Sequence, residues 1–522
     1  MFDLLIKNGT IINGTGSPSF FGDVGITEGK IVRIGKGLTG AKKTIDATGL
    51  TVTPGFIDSH SHSDNAILSH PEMIEKLEQG ITTSISGQCG GSPAPISRDA
   101  TQEEKDKIVG GIGKAGDVLR TFGTFLDAIK DRPMGESQAI LVGHGNLRKA
   151  VMGMENRAPS ADELEQMKAL LREALEHGAL GVSFGLIYPP SCYAETDELI
   201  EIAKVAQEYY AIVAAHIRGE GGTLTAATAE FIQIIRESGA RGVLSHHKAA
   251  GGKENWGKVH NTLRMLEAAN AEGLEIWCDT YPYTATHTSM GATFIPTELH
   301  AGGDAGIVQL LADPEERKKL KAWGRERWGD DLSWTQVVAC DAYPQYKGLF
   351  MPEIAKLHGT DAYDAIYDMI AACGNQNCNA CYHTICEEDV ATVLAWPRTM
   401  VCTDASAAKG STVFHPRLKG SFPRVLGRFV REKGVTSLPE MIRKMTSMPA
   451  SVYGLKTKGL IWEGMDADLC IFDADKIIDR SEFTNCNQRA EGLNYVIVAG
   501  EVVVEDAVCN GKKLGRVLLM EH

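Results

Sequence analysis

A (β/α)8 TIM-like barrel with a small composite β-sandwich domain from both termini is the α/β fold expected of this 522-residue chain. Three observations lead there. The middle of the chain alternates eight β-rich runs with helical patterns, as a parallel barrel requires. Both ends carry short β runs and turn residues instead. The interval before the eighth run is far longer than an ordinary crossover, which calls for an inserted subdomain.

The N-terminal segments 3–13 (DLLIKNGTIIN) and 23–35 (DVGITEGKIVRIG) are punctuated by Asn8-Gly9, Asn13-Gly14 and Gly29, all turn signals. Segments 466–473 (DADLCIFD) and 494–506 (NYVIVAGEVVVED, turning near Gly500) repeat that style at the C-terminus. Residues 1–56 plus 456–522 are therefore expected to form the β domain, and 57–455 the barrel. Barrel strands one to eight fall in 56–64, 82–90, 139–146, 180–188, 211–220, 242–248, 276–283 and 399–406. The clearest helix runs from Ser160 to His177. Ser160 and Glu163 make a capping box, Gly178 follows the end, and Leu164, Met167, Leu170, Leu171, Ala174 and Leu175 recur at helical spacing. Helices are also expected over 197–208, 224–238 and 259–271, and an inserted lid or subdomain over 288–350. Barrel, β domain and insertion make fewer units than ~150 residues per domain would allow.

Composition narrows the partners. Lys and Arg number 53 against 67 Asp and Glu, a net charge of −14, which argues against nucleic acid and anionic membranes. No apolar run approaches the ~18–20 residues of a membrane helix. The N-terminus carries Asp3 and no basic segment, so no secretory signal is expected. Twelve cysteines are then expected as thiols in a reducing, cytoplasmic compartment.

In such a barrel, chemistry collects at the C-terminal strand ends. Strand one ends in His60-Ser61-His62, whose i, i+2 spacing puts both imidazoles on one face. Strand two ends in Cys89, strand five in His216, strand six in His246-His247-Lys248 and strand eight in Asp404. Singly, such a histidine is more often a hydrogen-bonded structural residue, and a cysteine a buried apolar group. Jointly, soft thiolate and imidazole donors at separate strand ends point to Zn2+ over Mg2+ or Ca2+.

The DSHSHSD motif after Pro-Gly-Phe resembles the first-strand signature of the amidohydrolase superfamily. GQCG, AAHIRGE, LSHHK, DTYPY and HPRLKGSFPRVLG are similar to segments of the D-aminoacylases (N-acyl-D-amino-acid deacylases). The resemblance covers essentially the whole chain and is weakest over 288–400. Most binuclear relatives bridge their metals with a carboxylated lysine on strand four. The segment GALGVSFGLIYPP has no lysine, and the resemblance puts Cys89 in that role. It implies a tight zinc on Cys89, His216 and His246, and a weaker second site on His60 and His62 that shares Cys89. His246 is the ligand because it is the first histidine of HHK; His247 then points away as a structural residue.

The resemblance also implies a reaction: zinc acidifies water and polarises an amide carbonyl. Asp404 is the expected general base, returning the proton to the leaving amine; its bland alternative is a helix N-cap. Tyr188 resembles the tyrosine that assists carbonyl polarisation. Lys248, on the same face as His246, and Arg417, with a planar fork, resemble with Tyr281 the clamp on the substrate α-carboxylate. Tyr283 is the alternative to Tyr281. His287 falls where relatives carry a small hydroxyl residue and is expected to touch the substrate.

The expected function is zinc-dependent hydrolysis of N-acyl-D-amino acids, a small-molecule activity without nucleic-acid or membrane partner; the oligomeric state stays open. Residues 265–315 contain no Lys or Arg, so neutral or hydrophobic side chains are expected over acidic ones. Hydrolysis of a cyclic amide or a dipeptide is the rival, with the missing strand-four lysine against the former. A metal-free scaffold would have lost its ligands. Cys373, Cys378, Cys381 and Cys386 have the C-x4-C-x2-C spacing of an iron–sulfur motif, with His383 inside, but sit before an ordinary helix start, Glu387-Glu388-Asp389-Val390. They are expected as small apolar residues.

Overall fold

The barrel strands are short and almost wholly buried, as strands covered by an outer ring of helices must be. They are Phe56–Asp58, Ile81–Ser86, Ser137–Ile140 continuing as Val142–Gly143, Gly181–Gly185, Ile212–His216, Arg241–Leu244, Ile276–Thr280 and Thr399–Val401. Described over residues 1–109, 118–374, 377–407 and 415–521, the computed structural model pairs each strand in parallel with the next. The ring closes where the Asp404 amide donates to the His60 carbonyl (2.9 Å) and Ser61 bridges Ala405. Fully buried Lys76 reinforces that seam, donating to Asp58 Oδ2 (2.7 Å), Thr403 Oγ1 (2.6 Å) and the Ala405 carbonyl (3.0 Å).

The helix Ala161–Glu176 starts where its cap demands. Ser160 accepts from the Glu163 amide, and the Glu163 carboxylate accepts from the Ser160 amide at 2.8 Å. Met167, Leu171, Ala174 and Leu175 are buried from one stripe, the larger side chains stabilising by roughly 1.5–3 kcal/mol each. Thr196–Glu208, Leu224–Ser238 and Lys258–Ala271 are the next helices of the outer ring. Among the described residues no helix is long and apolar enough to cross a membrane.

The two chain ends interleave. Strand Thr51–Pro54 pairs in parallel with Phe2–Ile11 and antiparallel with Leu469–Phe472, which continues through Leu493–Val498 to Glu501–Glu505. Where the sequence predicts a sandwich, hydrogen bonding makes one nine-stranded sheet, because Thr51–Pro54 serves both halves. Leu4, Ile6, Val24, Ile471 and Ile497 fill its core.

Between strands seven and eight a separate three-stranded antiparallel sheet orders Thr286–Ser289, Cys378–Tyr382 and Thr335–Cys340. Helices Pro314–Trp328, Met351–His358 and Ala362–Cys373 cover it around Phe294, Val337, Ile366 and Tyr367. This unit reaches past residue 350, the expected limit of the insertion. Its central strand, CNACY, lacks the β-branched alternation that marks a strand.

One buried acid gives the barrel a pH-dependent stability. Glu136 precedes strand three; its Oε1 accepts from Ser84 (2.9 Å) and Gln138 (2.7 Å), and its Oε2 has no hydrogen-bond partner among the described residues. Burial pushes its carboxyl from 4.5 up to about 8, against the pull of Lys76. The native state therefore keeps a proton that the unfolded chain loses. Stability from this group is greatest below about pH 4.5 and declines as pH rises towards 8. Glu136→Gln should be more stable than wild type at pH 8, by on the order of a few kcal/mol and with a higher thermal midpoint, and much less so at pH 5. Melting both proteins at the two pH values tests this; an equal gap at both removes the titration from the account.

Candidate metal centre

The functional side chains project from turns at the C-terminal strand ends. Cys89 (φ 52°), His246 (φ 37°) and Asp404 (φ 49°) all adopt left-handed backbone, which costs a non-glycine residue about 1–2 kcal/mol. Such strain persists where the surroundings over-determine it, commonly at functional sites. Strand four explains how Cys89 gets in. It ends in Gly185, where an added Cβ would lie 2.0 Å from the Cys89 carbonyl oxygen. The turn carrying Cys89 thus fills the space a strand-four side chain would need.

The Cys89 sulfur lies 3.4 Å from His60 Nε2, 3.6 Å from His216 Nδ1 and 3.3 Å from His246 Nε2. Three overlapping donor groups result: His60, His62 and Cys89; Cys89, His216 and His246; and His60, His246 and Asp404. Tetrahedral zinc with bonds of about 2.0–2.3 Å sets its ligand atoms roughly 3.3–3.8 Å apart, which these separations match. Protonation favours a cation too. Burial, then neighbouring histidine charge, holds His60 well below its usual range, and burial takes His216 to about 3, so both imidazoles are neutral donors. Burial, then the Asp404 charge, pushes the Cys89 thiol well up. A buried thiol among neutral imidazoles has little to gain as a bare thiolate, whereas coordination deprotonates it outright. His60 Nδ1 and His216 Nε2 are buried without hydrogen-bond partners among the described residues. The residues fit a zinc ion.

A supporting layer that the sequence analysis missed surrounds these donors. Glu220 Oε1 sits 3.0 Å from His246 Nδ1 and 2.5 Å from Lys248 Nζ. Burial would raise its carboxyl, but Lys248 and the two histidines hold it well below the usual range. A carboxylate on Nδ1 orients the ring so that Nε2 faces an ion. The Asp279 carboxylate accepts from the His246 amide at 2.5 Å, and burial pushes it up to about 7 despite that bond. The signals were present, since Glu220 ends AAHIRGE and Asp279 opens DTYPY.

A cavity of about 790 Å3 opens over the sulfur, lined among others by Tyr188, Lys248, Tyr281, His287, Asp404 and Arg417. Asp404 Oδ1 lies 3.1 Å from His62 Nε2 and 3.5 Å from His60 Nε2, while Oδ2 accepts from Arg417 Nη1 at 2.5 Å. Burial alone would raise this carboxyl; Arg417, His246 and the His62 hydrogen bond outweigh it and hold it well below the carboxylate range. Tyr281 has Arg417 4.9 Å and Lys248 5.6 Å from its ring centre, and its buried hydroxyl has no hydrogen-bond partner among the described residues. Tyr188 meets Thr288 Oγ1 at 3.3 Å, with burial keeping its phenol neutral. His287 is neutral, lowered to about 3 by burial and by Arg417.

Tyr283, the alternative to Tyr281, stands elsewhere. Its hydroxyl donates to Asp479 at 3.0 Å beside Arg424, so it braces the loop behind the cavity and does not line it. His247 turns outward to Thr262 Oγ1 (2.9 Å). Cys373, Cys378, Cys381 and Cys386 do not converge. Cys378 and Cys381 are three apart on one strand and so face opposite sides; Cys381 packs with Ala285 and Val338, and Cys386 caps the helix Glu387–Ala395.

Known proteins resemble this chain over nearly its whole length. Residues 43–504 match a family described as the amidohydrolase family. A D-aminoacylase of Alcaligenes xylosoxydans xylosoxydans is 34% identical over 518 residues, 99% of this chain and 97% of the relative. An N-acyl-D-glutamate deacylase of the same organism is 35% identical over 506 residues, covering 97% and 94%. The crystal structure of N-acyl-D-glutamate deacylase from Bordetella bronchiseptica, complexed with zinc and a phosphonate mimic of the reaction tetrahedral intermediate, superposes with a TM-score of 0.83. It is 31% identical, covering 99% of each chain.

Proposed function

The chain belongs to the D-aminoacylase branch of the amidohydrolase family, and on that premise we propose that it hydrolyses the amide bond of N-acyl-D-amino acids with zinc as cofactor. The products are a carboxylate and the free D-amino acid. The observation that carries this is one sulfur, Cys89, within 3.3–3.6 Å of three imidazole nitrogens and beneath a cavity that also holds Asp404, Arg417 and Lys248.

Cys89, His216 and His246 would hold the tight zinc, and His60 and His62 would join Cys89 for a weaker second ion. Bound there, zinc supplies a Lewis acid for the scissile carbonyl and lowers the pKa of water. Tyr188, kept neutral by burial, donates to the carbonyl oxygen as charge develops on it. Asp404 takes the proton of the attacking water and delivers it to the leaving nitrogen. Arg417 and Lys248 receive the α-carboxylate, with Tyr281 between them. That arrival has a consequence for the base. Without substrate Asp404 is the only carboxylate paired with Arg417 among the described residues; shared with a second carboxylate Arg417 depresses Asp404 less, so the base strengthens once substrate is bound. His287 contacts the substrate from the cavity wall.

We read the chain as a barrel over about 57–455, a β domain from residues 1–56 plus 456–522, and a lid-like insertion that extends the expected 288–350 to Tyr382. Twelve free thiols support a reducing, cytoplasmic setting. The acidic net charge of −14 speaks against nucleic-acid and membrane partners.

The side chain of the substrate is neutral or hydrophobic. Among the described residues lining the cavity, Lys248 and Arg417 are the only Lys or Arg, and both are committed to the α-carboxylate. A zinc-supplemented panel of N-acetyl-D- and L-amino acids, read by release of free amine, tests both claims. N-acetyl-D-leucine or D-methionine should exceed N-acetyl-D-glutamate in kcat/KM by at least about tenfold, the worth of one charge contact of roughly 1.4 kcal/mol. Preference for N-acetyl-D-glutamate would sink the side-chain assignment, and absence of turnover on every D-substrate would sink the function.

A further inference from the structure

The insertion gathers three thiols that the reaction does not use. Cys340 ends the strand Thr335–Cys340 and stands directly opposite Cys378 on the neighbouring strand. Cys373 is the last residue of the helix Ala362–Cys373, and its sulfur lies 3.0 Å from that of Cys340. The Ala342 amide donates to the Cys373 sulfur (3.3 Å), and the Cys378 sulfur points to Met290 Sδ (3.3 Å). Cys340 is buried, whereas Cys373 is partly open to solvent. A small oxidant can therefore reach the pair from the helix end while the bulk of the sheet stays closed.

We propose that Cys340 and Cys373 are a peroxide-sensitive pair that closes to a reversible disulfide. Their contact needs only a small further approach to reach bonding distance, and both ends are anchored, one on a strand and one at a helix terminus. The Cys340 sulfur is also the one poised to react. The neighbouring Cys378 and Cys373 thiols and the Tyr343 backbone hold it below the usual thiol range against its burial. The thiolate is the nucleophile in such chemistry. The Cys340 thiolate attacks one oxygen of hydrogen peroxide, forming S–O as O–O breaks, and the departing hydroxide takes up a proton as water. The Cys373 sulfur then attacks the sulfenic sulfur, forming S–S and expelling hydroxide, which leaves as a second water with the Cys373 proton. The two thiols give up two electrons and the peroxide takes them.

The bond would tie the helix Ala362–Cys373 to the sheet behind the substrate cavity. Strand Cys378–Tyr382 pairs with Thr286–Ser289, with Ser289 opposite Asn379 and His287 opposite Cys381, and Thr286 to Ser289 and Asn379 line that cavity. The oxidised form holds that wall in one arrangement.

The test uses the zinc-loaded enzyme, so that Cys89 is coordinated, treated with equimolar hydrogen peroxide and then alkylated. Peptide mapping without reductant should find a Cys340–Cys373 link, with two thiols lost per chain and both restored by dithiothreitol. Cys378→Ser should keep the link. Cys373→Ser should replace it with a dimedone-reactive sulfenic acid on Cys340. Loss of thiols elsewhere while Cys340 and Cys373 remain alkylated would overturn the proposal, as would irreversible oxidation of Cys340 with no link in the wild-type protein. The wild-type map decides alone should Cys373→Ser fail to fold.

Discussion

Cys89→Ala is expected to lower zinc content to below about a tenth of the wild-type stoichiometry and to cut kcat/KM by at least about a thousandfold. The reason is the position of the sulfur. It belongs to both the His60–His62 group and the His216–His246 group, so one substitution removes a donor from each. Two imidazoles left at one site cannot hold zinc as three ligands do, and the soft, anionic donor that favours zinc over harder ions is the one removed. The backbone should survive, because alanine pays the same left-handed cost at φ 52° that cysteine already pays. The third group, His60, His246 and Asp404, is untouched and should retain weak metal binding at high concentration. Metal analysis after dialysis, beside turnover of an N-acetyl-D-amino acid, makes the measurement. A full zinc complement at normal rate would take Cys89 out of the site. Cys89→Ser divides geometry from softness, since the hydroxyl keeps the position and loses the thiolate.

The parts of this site that could be read in sequence are those fixed by local periodicity. Strand ends announce themselves by a polar residue closing an apolar run, which is how His60, Cys89, His216, His246 and Asp404 stood out. The i, i+2 rule put His60 beside His62 and turned His247 away from His246. The same rule does not extend to Tyr281 and Tyr283. They share a parity, but the strand ends at Thr280 and alternation ends with it, so one ring lines the cavity while the other reaches Asp479. Glu220 lies four residues beyond His216, outside the strand, and meets His246 and Lys248 only because that loop folds back across strand six. The contact between Cys340 and Cys373 joins a strand to the end of a helix across a sheet whose existence depended on an unpromising central strand. Sequence spacing sets Cys373 with Cys378, Cys381 and Cys386, expected above as small apolar residues, and leaves Cys340 out. Local pattern fixed the donors, and tertiary return of loops fixed the layer that orients them.

Asp404→Asn carries the second large effect, and it separates the base from the metal. The amide is nearly the same shape, so the left-handed turn and the hydrogen bond closing the barrel at the His60 carbonyl remain. Zinc bound through Cys89, His216 and His246 should stay within error of wild type, because Asp404 is not in that group. What is lost is proton capacity. A carboxamide cannot take the proton of the attacking water, and general-base assistance contributes about 10²–10⁴ in rate, so kcat should fall by that factor. KM should change far less, since Lys248 and Arg417 still receive the α-carboxylate. Stability should fall at the same time. Arg417 and Asp404 form a buried pair, and losing one charge of such a pair costs about 3–5 kcal/mol when nothing replaces it. Substrate supplies the missing carboxylate, so a product D-amino acid should raise the melting temperature of the variant more than that of wild type. That linked pair of results distinguishes a base from a helix cap. An N-cap asparagine would serve as well as aspartate, leaving kcat unchanged, and ligand would stabilise both proteins equally.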